Sequence, residues 1–189
     1  MRIRLSDDSS LIVHAEIFAA GGISTGSRLD EAAREDLRAR SELAFARQSA
    51  LGIISRGPQT RRGLRDKLRK RGFSEDAARA AIARMTELGY LDDRLFAEGW
   101  TRARLSAKKE GWNALSRGLR ARGVPRKLAE DVVSEICTTD VEMEKARLLA
   151  GRLPAPAAAR ALASRGFRAR TIARVLREIR DPGRGEGEG

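Results

Sequence analysis

The stretch LRDKLRKRGF at residues 64–73 returns twice along the chain, as LSRGLRARGV at residues 115–124 and AARALASRGF at residues 158–167. Each copy has two apolar residues four positions apart, then arginine, glycine and a further apolar residue. A second run with matching apolar positions follows each copy. Such self-similarity is typical of repeat proteins, which present extended binding surfaces rather than catalytic pockets. The sequence therefore predicts three helical repeats in tandem.

The glycine of each copy predicts the end of a helix. A residue in the left-handed conformation commonly follows a helix end, and glycine adopts it without the steric penalty of a Cβ atom. In a Schellman cap, the residue four positions before this glycine packs against the residue just after it. The three copies place apolar residues at both positions, namely Leu68 with Phe73, Leu119 with Val124 and Leu162 with Phe167. We therefore predict the same cap in every repeat.

Turn, cap and composition signals divide the chain into five segments. The predicted fold class is mainly α, with three tandem three-helix, helix-turn-helix-like repeats in an elongated arrangement, preceded by a short N-terminal β-hairpin. The predicted segments are the hairpin with a leading helix at residues 1–41, repeat 1 at residues 42–91, repeat 2 at residues 92–137, repeat 3 at residues 138–180 and a tail at residues 181–189. The glycine and charge content of the tail predicts disorder.

The first segment carries the strand character. Polar and apolar residues alternate at its start, a turn-forming cluster follows, and the run from Leu11 to Phe18 is apolar and favours a strand. A helix is predicted to begin near Ser27, and a separate helix from Glu42 to Ser55 is predicted to open repeat 1.

The positive charge of the chain is unevenly placed. The formal net charge is +12, and residues 1–50 carry 7 basic and 8 acidic side chains, whereas residues 51–189 carry 31 and 18. The basic excess therefore belongs to the repeats. Such an excess indicates binding to nucleic acid or to another polyanionic surface. The alternative interpretation is an arginine-rich surface that is merely solvated.

Residue types that carry chemistry are scarce and scattered. Cys137 is the single cysteine and is predicted to be a small buried thiol, so no disulfide forms within the chain. His14 has no histidine or cysteine nearby in the sequence, which argues against a zinc site. Asp92 and Asp93 are better explained as a helix cap than as an acid–base pair. We predict no catalytic residue, no metal site and no cofactor, and hence no enzyme.

Apolar patterning also bears on location. No apolar run approaches the length of a membrane span, and the start of the sequence lacks the apolar region of a secretory signal. The expectation is a cytoplasmic monomer with no membrane partner.

Candidate contact residues follow from the predicted helix faces. In repeat 1 the buried stripe contains Leu64 and Leu68, and at about 100° per residue the basic side chains between them point to the far side or flank it. A further basic run ends the first helix of repeat 2. The candidates are Arg62, Arg65, Arg69 and Lys70 in repeat 1, Arg102, Arg104, Lys108, Lys109, Arg117 and Arg120 in repeat 2, and Arg160 in repeat 3. Arg71, Arg122 and Arg165 are instead predicted to interact with the helix dipole.

The segment ELGYLDDRLFA at residues 87–97 resembles the RecX family of recombination regulators. Its GYLDD turn comes just after an Arg-Gly-Phe repeat and precedes a Phe-Ala pair on the next helix. The LRDKL run at residues 64–68 and the segment at residues 111–124 also resemble that family's first and second repeats. The resemblance covers about residues 1–180. The chain departs from the family at Trp112 and in the alanine- and proline-rich third repeat.

The resemblance implies a non-enzymatic modulator of RecA that acts in recombination, DNA repair and the SOS response. Proteins of this kind bind the helical RecA–DNA filament, lie along its groove and lower ATP hydrolysis and strand exchange. Many also bind single- and double-stranded DNA directly. The implied partners of this chain are therefore the RecA filament and DNA.

A second hypothesis is an independent basic helical DNA-binding protein, similar to a transcription factor, since small three-helix units are common in such proteins. It predicts sequence-selective duplex binding. No helix combines asparagine, glutamine and arginine in a base-reading set, which favours contact with phosphates instead.

Overall fold

The computed structural model describes residues 1–24 and 26–181, which contain two strands and ten helices. The strands are β1 (Arg2–Arg4) and β2 (Ser10–Ile12). The helices are α1 (Ala15–Ala20), α2 (Glu31–Ile54), α3 (Arg61–Lys70), α4 (Glu75–Glu87), α5 (Asp93–Ala107), α6 (Trp112–Ala121), α7 (Arg126–Ile136), α8 (Thr139–Ala150), α9 (Ala155–Ser164) and α10 (Ala169–Arg180). They form two compact units that meet in sequence between Asp92 and Asp93. Beyond Asp181, the predicted disordered tail lies outside the described residues.

The N-terminal hairpin is present but shorter than predicted. β1 and β2 pair antiparallel, with Ile3 opposite Leu11. The second strand ends at Ile12 because His14 caps a helix: its ring nitrogen Nδ1 accepts a hydrogen bond of 3.4 Å from the backbone N–H of Glu16. The apolar run that favours a strand up to Phe18 therefore continues as α1, and the hairpin packs on Leu37 of α2.

Helix α2 differs from the sequence prediction because it is a single helix of 24 residues. It begins at Glu31 with Asp30 as its N-cap, four residues after the predicted start, and it continues through the predicted break before Glu42. The polar residues at that break make tertiary contacts instead. The Ser41 hydroxyl accepts a hydrogen bond from the backbone N–H of His14 at 3.2 Å, and the Glu42 carboxylate accepts one from the N–H of Ser74 at 2.6 Å.

Each repeat contains three helices, as the sequence predicts. Repeat 1 uses α2, α3 and α4, repeat 2 uses α5, α6 and α7, and repeat 3 uses α8, α9 and α10. A separate cluster of buried residues lies within each of these triplets, built mainly from alanine, leucine and valine. Small side chains allow the helices of a repeat to approach closely, so each repeat has a core of its own.

The predicted caps are confirmed in all three repeats. Gly72, Gly123 and Gly166 have φ values of 88°, 92° and 72°, in the left-handed region. In repeat 1 the N–H of Phe73 donates to the carbonyl of Leu68 at 3.3 Å, and the N–H of Gly72 donates to that of Arg69 at 2.9 Å. This pair of hydrogen bonds defines a Schellman cap, and the other two repeats contain the same pair.

Candidate interaction surface

The most basic helix of the chain is α3, which has six basic side chains and one acidic side chain in ten residues. Leu64 and Leu68 are fully buried, whereas the charged side chains between and around them are exposed. The predicted outward orientation of Arg62, Arg69 and Lys70 is therefore confirmed. The helix presents a basic face to solvent within the first unit, and the exposed Asp66 lies between Arg62 and Lys70 on that face.

Part of this face is neutralised by the next helix. The guanidinium of Arg65 lies 2.7 Å from the carboxylate of Glu75, the first residue of α4, and that of Arg69 lies 3.8 Å from the same carboxylate. Within the described part of the chain, Arg62 and Lys70 form no hydrogen bond or ion pair through their side chains. Arg62 and Lys70 therefore carry charges that no direct ion pair neutralises among the described residues.

A smaller basic face lies on α6 in the second unit. Leu115 and Leu119 are fully buried, and Arg117 and Arg120 point outward as predicted. Neither arginine forms an ion pair with the residues that the structure describes. Both guanidinium groups are therefore available to an anionic partner.

The basic run at the end of α5 is only partly available to an anionic partner. Arg104, a predicted contact residue, already binds a carboxylate within the chain. Its guanidinium is half-buried and makes two hydrogen bonds to the carboxylate of Glu110, at 2.6 and 2.8 Å. Lys109 donates from Nζ to the carbonyl of Leu148 at 3.0 Å. Arg102 lies 3.3 Å from the Glu98 carboxylate. These partners are separated in sequence by four to 39 positions, and only the fold brings the distant ones together. Lys108 is exposed.

Trp100 belongs to the interior of repeat 2. The guanidinium of Arg122 lies 4.7 Å from the centre of its ring, and that of Arg104 lies 5.7 Å away. A Cβ atom on Gly118 would lie 2.5 Å from the indole, so this glycine inside α6 makes room for the ring. Arg122 also donates to the carbonyl of Gly118 at 2.9 Å, which agrees with its predicted role at the helix end.

The third repeat carries its charge on a different helix from the first two. Arg160 is exposed on α9, which contains no other charged residue. The neighbouring α10 has four arginines and one glutamate in twelve residues. All four arginines, Arg170, Arg174, Arg177 and Arg180, are exposed. None of them is among the contact residues predicted from the sequence, although the spacing of Arg170, Arg174 and Arg177, by four and then three positions, is the signal of a helix face.

A buried carboxylate joins repeats 2 and 3. The side chain of Glu142 on α8 is 0% exposed. Its Oε1 accepts from the backbone N–H of Trp112 at 2.9 Å and from that of Arg168 at 3.2 Å. Its Oε2 accepts from Arg168 Nε at 2.6 Å and from the Thr171 hydroxyl at 2.7 Å. One side chain thus ties the start of α6 to the start of α10.

Backbone contacts reinforce the same junction. The N–H of Gly111 donates to the carbonyl of Arg165 at 3.0 Å, and that of Asn113 donates to Gly166 at 2.9 Å. These two hydrogen bonds place the Schellman turn of repeat 3 against the start of α6. The two repeats are therefore held together by main-chain as well as side-chain hydrogen bonds.

The ionisation of this junction follows from its contacts. Burial by itself raises the pKa of Glu142, but the hydrogen bonds from Trp112, Thr171 and Arg168 outweigh it and lower the pKa below its usual value. Burial, reinforced by the Glu142 carboxylate, raises the pKa of Cys137 to about 11. The cysteine is therefore a neutral thiol near pH 7, as its predicted structural role requires.

Residues 1–24 and 26–181 contain neither a membrane-spanning helix nor a metal-binding cluster. None of the helices there combines the length and the apolar character that crossing a membrane requires. No group of three or more histidine, cysteine, aspartate or glutamate side chains is arranged to hold a metal ion in that part of the chain.

Comparison with known proteins agrees with the repeat structure. The family model for the first three-helix domain of RecX matches residues 46–85, and that for the second three-helix domain matches residues 92–133. The chain is similar to regulatory protein RecX of Streptomyces lividans, with 35% identity over 70% of this chain and 68% of that protein. It is also similar to regulatory protein RecX of Thermobifida fusca, with 34% identity over 78% of this chain and 82% of that protein.

Solved structures share the fold at lower sequence identity. A crystal structure of RecX from Lactobacillus salivarius superposes with a TM-score of 0.67 and 23% identity, covering 74% of this chain and 97% of that chain. A second crystal structure of regulatory protein RecX gives a TM-score of 0.75 and 18% identity, covering 92% of each chain. With the matched three-helix domains and the identity to its bacterial relatives, the chain belongs to the RecX family of regulatory proteins.

Proposed function

We propose that this protein binds the RecA–DNA filament and inhibits its ATP hydrolysis and strand exchange, and so modulates recombination and DNA repair. Membership of the RecX family supports RecA as the partner. The observation that carries the proposal is the pair of outward basic faces on α3 and α6, each borne by the second helix of a family-matched repeat.

The charge on these faces suits a polyanionic filament. Arginine and lysine side chains attract phosphates and acidic side chains over a distance of about 10 Å at 0.1 M salt. Because the leucine stripes of α3 and α6 are fully buried, the basic side chains project from helices that are fixed in their repeats. Binding then has to order the side chains but not the helices that carry them, which favours affinity.

Inhibition requires more than contact with the filament. A ligand shifts a conformational equilibrium only through a difference in its affinity for the two states. We propose that the protein binds more tightly to a filament state that hydrolyses ATP slowly than to the active state. The effect would then grow with the concentration of the protein and saturate.

RecA's DNA-dependent ATPase tests the proposal. Titration with the full chain is expected to lower the hydrolysis rate to a plateau, and the chain is expected to co-sediment with filaments. A basic protein of another family serves as the control. It lowers the ATPase rate mainly by competing for DNA, so the inhibition that it causes should disappear when excess DNA is added. Unchanged hydrolysis at saturating protein, together with no co-sedimentation, would rule out the proposal.

Charge reversal on the basic faces should weaken filament binding without unfolding the protein. The variants combine Arg62→Glu with Arg69→Glu, or Arg117→Glu with Arg120→Glu. These side chains are exposed, so their replacement opens no cavity. The measurements are co-sedimentation with filaments and a thermal melt. Loss of binding with an unchanged melt is the expected result.

The matched control reverses two arginines that already have local partners. On α4, Arg79 lies next to Asp76 and Arg84 lies 3.2 Å from Glu87. Reversing both changes the net charge by the same amount but leaves the α3 face intact. Leu119→Ala provides the opposite control, because it should lower the melting temperature by removing a buried side chain. Equal loss of binding in the α4 and α3 variants would show that only net charge matters.

The structure also bears on the second hypothesis, an independent sequence-reading DNA-binding protein. In a helix-turn-helix unit the last helix enters the major groove. Here α4 and α7 each carry two basic and three acidic side chains. Acidic side chains on those helices would be repelled by phosphates, so repeats 1 and 2 are poor candidates for groove recognition. A gel shift that compares random with selected duplexes distinguishes this hypothesis from the proposal.

A further inference from the structure

Helix α10 differs in charge from the two helices that occupy the same place in the other repeats. It carries four arginines against one glutamate, whereas α4 and α7 each carry two basic and three acidic residues. The second helices show the reverse trend, from six basic residues on α3 to two on α6 and one on α9. The basic surface therefore moves from the second to the third helix in repeat 3.

Three of the four arginines of α10 form one face. Thr171 and Val175 are buried on the side that packs against α8 and α9. At about 100° per residue, Arg170, Arg174 and Arg177 fall within a sector of about 60° that is turned by roughly 110° from Thr171 and Val175. They extend over about 10 Å along the axis. All three are exposed. Arg170, Arg174 and Arg177 together form the α10 face.

The α10 face keeps most of its charge. Glu178 is the single acidic residue of the helix, and it makes two hydrogen bonds of 2.8 Å each with Arg147 of α8. These hydrogen bonds lower the pKa of Glu178 and occupy both of its oxygens. Arg174 lies 3.8 Å from the same carboxylate, and Arg170 makes only a long contact of 3.5 Å with the Thr139 hydroxyl.

The face is also held in a fixed position. Arg168 precedes the helix, and its backbone N–H and side chain bind the buried Glu142, as does the hydroxyl of Thr171 in the first turn. The start of α10 is therefore anchored to α8 and to the start of α6. Because the helix itself is fixed, only the side chains of its arginines have to be ordered when they bind an anion.

The chemistry of the α10 face favours the phosphate backbone of a nucleic acid over a protein partner. Stable protein interfaces have an apolar or aromatic core, but the exposed residue between these arginines is Ala173. The helix contains no asparagine or glutamine for reading bases. Guanidinium groups bind phosphate oxygens with paired hydrogen bonds.

We infer that the α10 face is a separate site that binds the phosphate backbone of DNA without RecA and without sequence preference. The inference goes beyond the proposed function because it assigns DNA contact to named residues of a helix outside the two family-matched repeats. It gives the third repeat a role of its own: direct attachment to the DNA.

The test is the fluorescence anisotropy of labelled single-stranded and duplex DNA of random sequence, titrated with the full chain at several salt concentrations and without RecA. The variant combines Arg170→Ala with Arg177→Ala. Its matched control combines Arg79→Ala with Arg84→Ala, which removes the same charge from two exposed positions of α4. Losing two phosphate contacts should reduce the slope of log affinity against log salt by about 1.8 on duplex and about 1.4 on single strands. Affinity at 0.1 M salt should fall by about tenfold or more.

Each outcome decides the inference. A reduced slope in the α10 variant, with a wild-type slope in the α4 control, supports it. Retention of the wild-type slope when lysine replaces both arginines would support it further. Equal losses in the α10 and α4 variants, or no salt-dependent binding by the wild-type chain, overturn it. If the α10 variant binds DNA normally but no longer inhibits RecA's ATPase, the face contacts protein and the inference is wrong. The ATPase of the wild-type chain tests the proposed function independently.

Discussion

Glu142→Ala is expected to destabilise the second unit by about 3 kcal/mol or more, because it leaves the buried part of Arg168 without its counter-ion. The variant also removes the acceptor for the backbone N–H of Trp112 and for the Thr171 hydroxyl. Urea unfolding monitored by tryptophan fluorescence measures the effect. Both tryptophans, Trp100 and Trp112, lie in the second unit, so the signal reports on that unit alone.

Glu144→Ala is the matched control for this prediction. Glu144 lies two residues further along α8, its side chain is 64% exposed, and its nearest ion pair is a 3.9 Å contact with Lys145. Its removal should change the free energy of unfolding by less than about 0.5 kcal/mol. If the two variants unfold at the same urea concentration, Glu142 does not hold the junction together.

The same contacts predict a pH dependence. The folded-state pKa of Glu142 lies below the usual 4.5, so its ionised form stabilises the fold above that pH. The contribution is lost as the pH falls below 4.5 and through the folded-state value. The difference in stability between wild type and Glu142→Ala should therefore shrink in acid. A difference that stays constant down to low pH would contradict the assignment.

Gly111→Ala is expected to cost about 3 kcal/mol or more, since the added methyl group would overlap the main chain of repeat 3. Its Cβ would lie 2.5 Å from the backbone nitrogen of Phe167 and 2.6 Å from the carbonyl oxygen of Gly166, and it would also overlap Phe167 Cα. Main-chain atoms of a Schellman turn cannot move aside without breaking the cap. The backbone of Gly111 has φ of −89°, which alanine adopts freely, so the overlap alone causes the loss.

Gly99→Ala controls for the general effect of replacing glycine in the same unit. Gly99 lies inside α5, and a Cβ there would meet nothing within 4 Å. Because alanine favours helix more than glycine does, this variant should gain up to about 1 kcal/mol. Tryptophan fluorescence during urea unfolding measures both. Opposite signs for the two glycines would confirm close approach at the junction, whereas a stabilising Gly111→Ala would refute it.

The junction variants also distinguish residues that stabilise the fold from residues that contact a partner. Glu142 and Gly111 are buried, whereas Arg117 and Arg170 are exposed on the two helices that the junction connects. Destabilising the junction should weaken binding only through loss of folded protein. Charge variants should weaken binding while the unfolding curve stays the same.

Local sequence determined the repeat and its caps. A glycine after a basic helix, with leucine four residues before it and an apolar residue after it, specifies a Schellman cap through contacts within six residues. The three φ values and the paired hydrogen bonds confirm this prediction. The periodicity of Leu64 and Leu68 likewise determined which arginines of α3 face outward, because the geometry of a helix fixes both together.

Only the tertiary structure decided where distant polar groups meet. Ser41 and Glu42 look like a helix boundary in the sequence, but contacts with His14 and Ser74 keep them inside a continuous α2. Arg104 looks like a free cation, but its Nε and Nη2 atoms donate hydrogen bonds to the carboxylate of Glu110.

Glu142 looks like one more surface glutamate of α8, and it becomes buried because Trp112, Arg168 and Thr171 converge on it from other helices. Helix periodicity assigns a side chain to a face but carries no record of what packs against that face. The direction of each basic face was therefore determined by the sequence, whereas the ion pairs that reduce its charge and the junction that joins repeats 2 and 3 were decided by the packing of helices far apart in the chain.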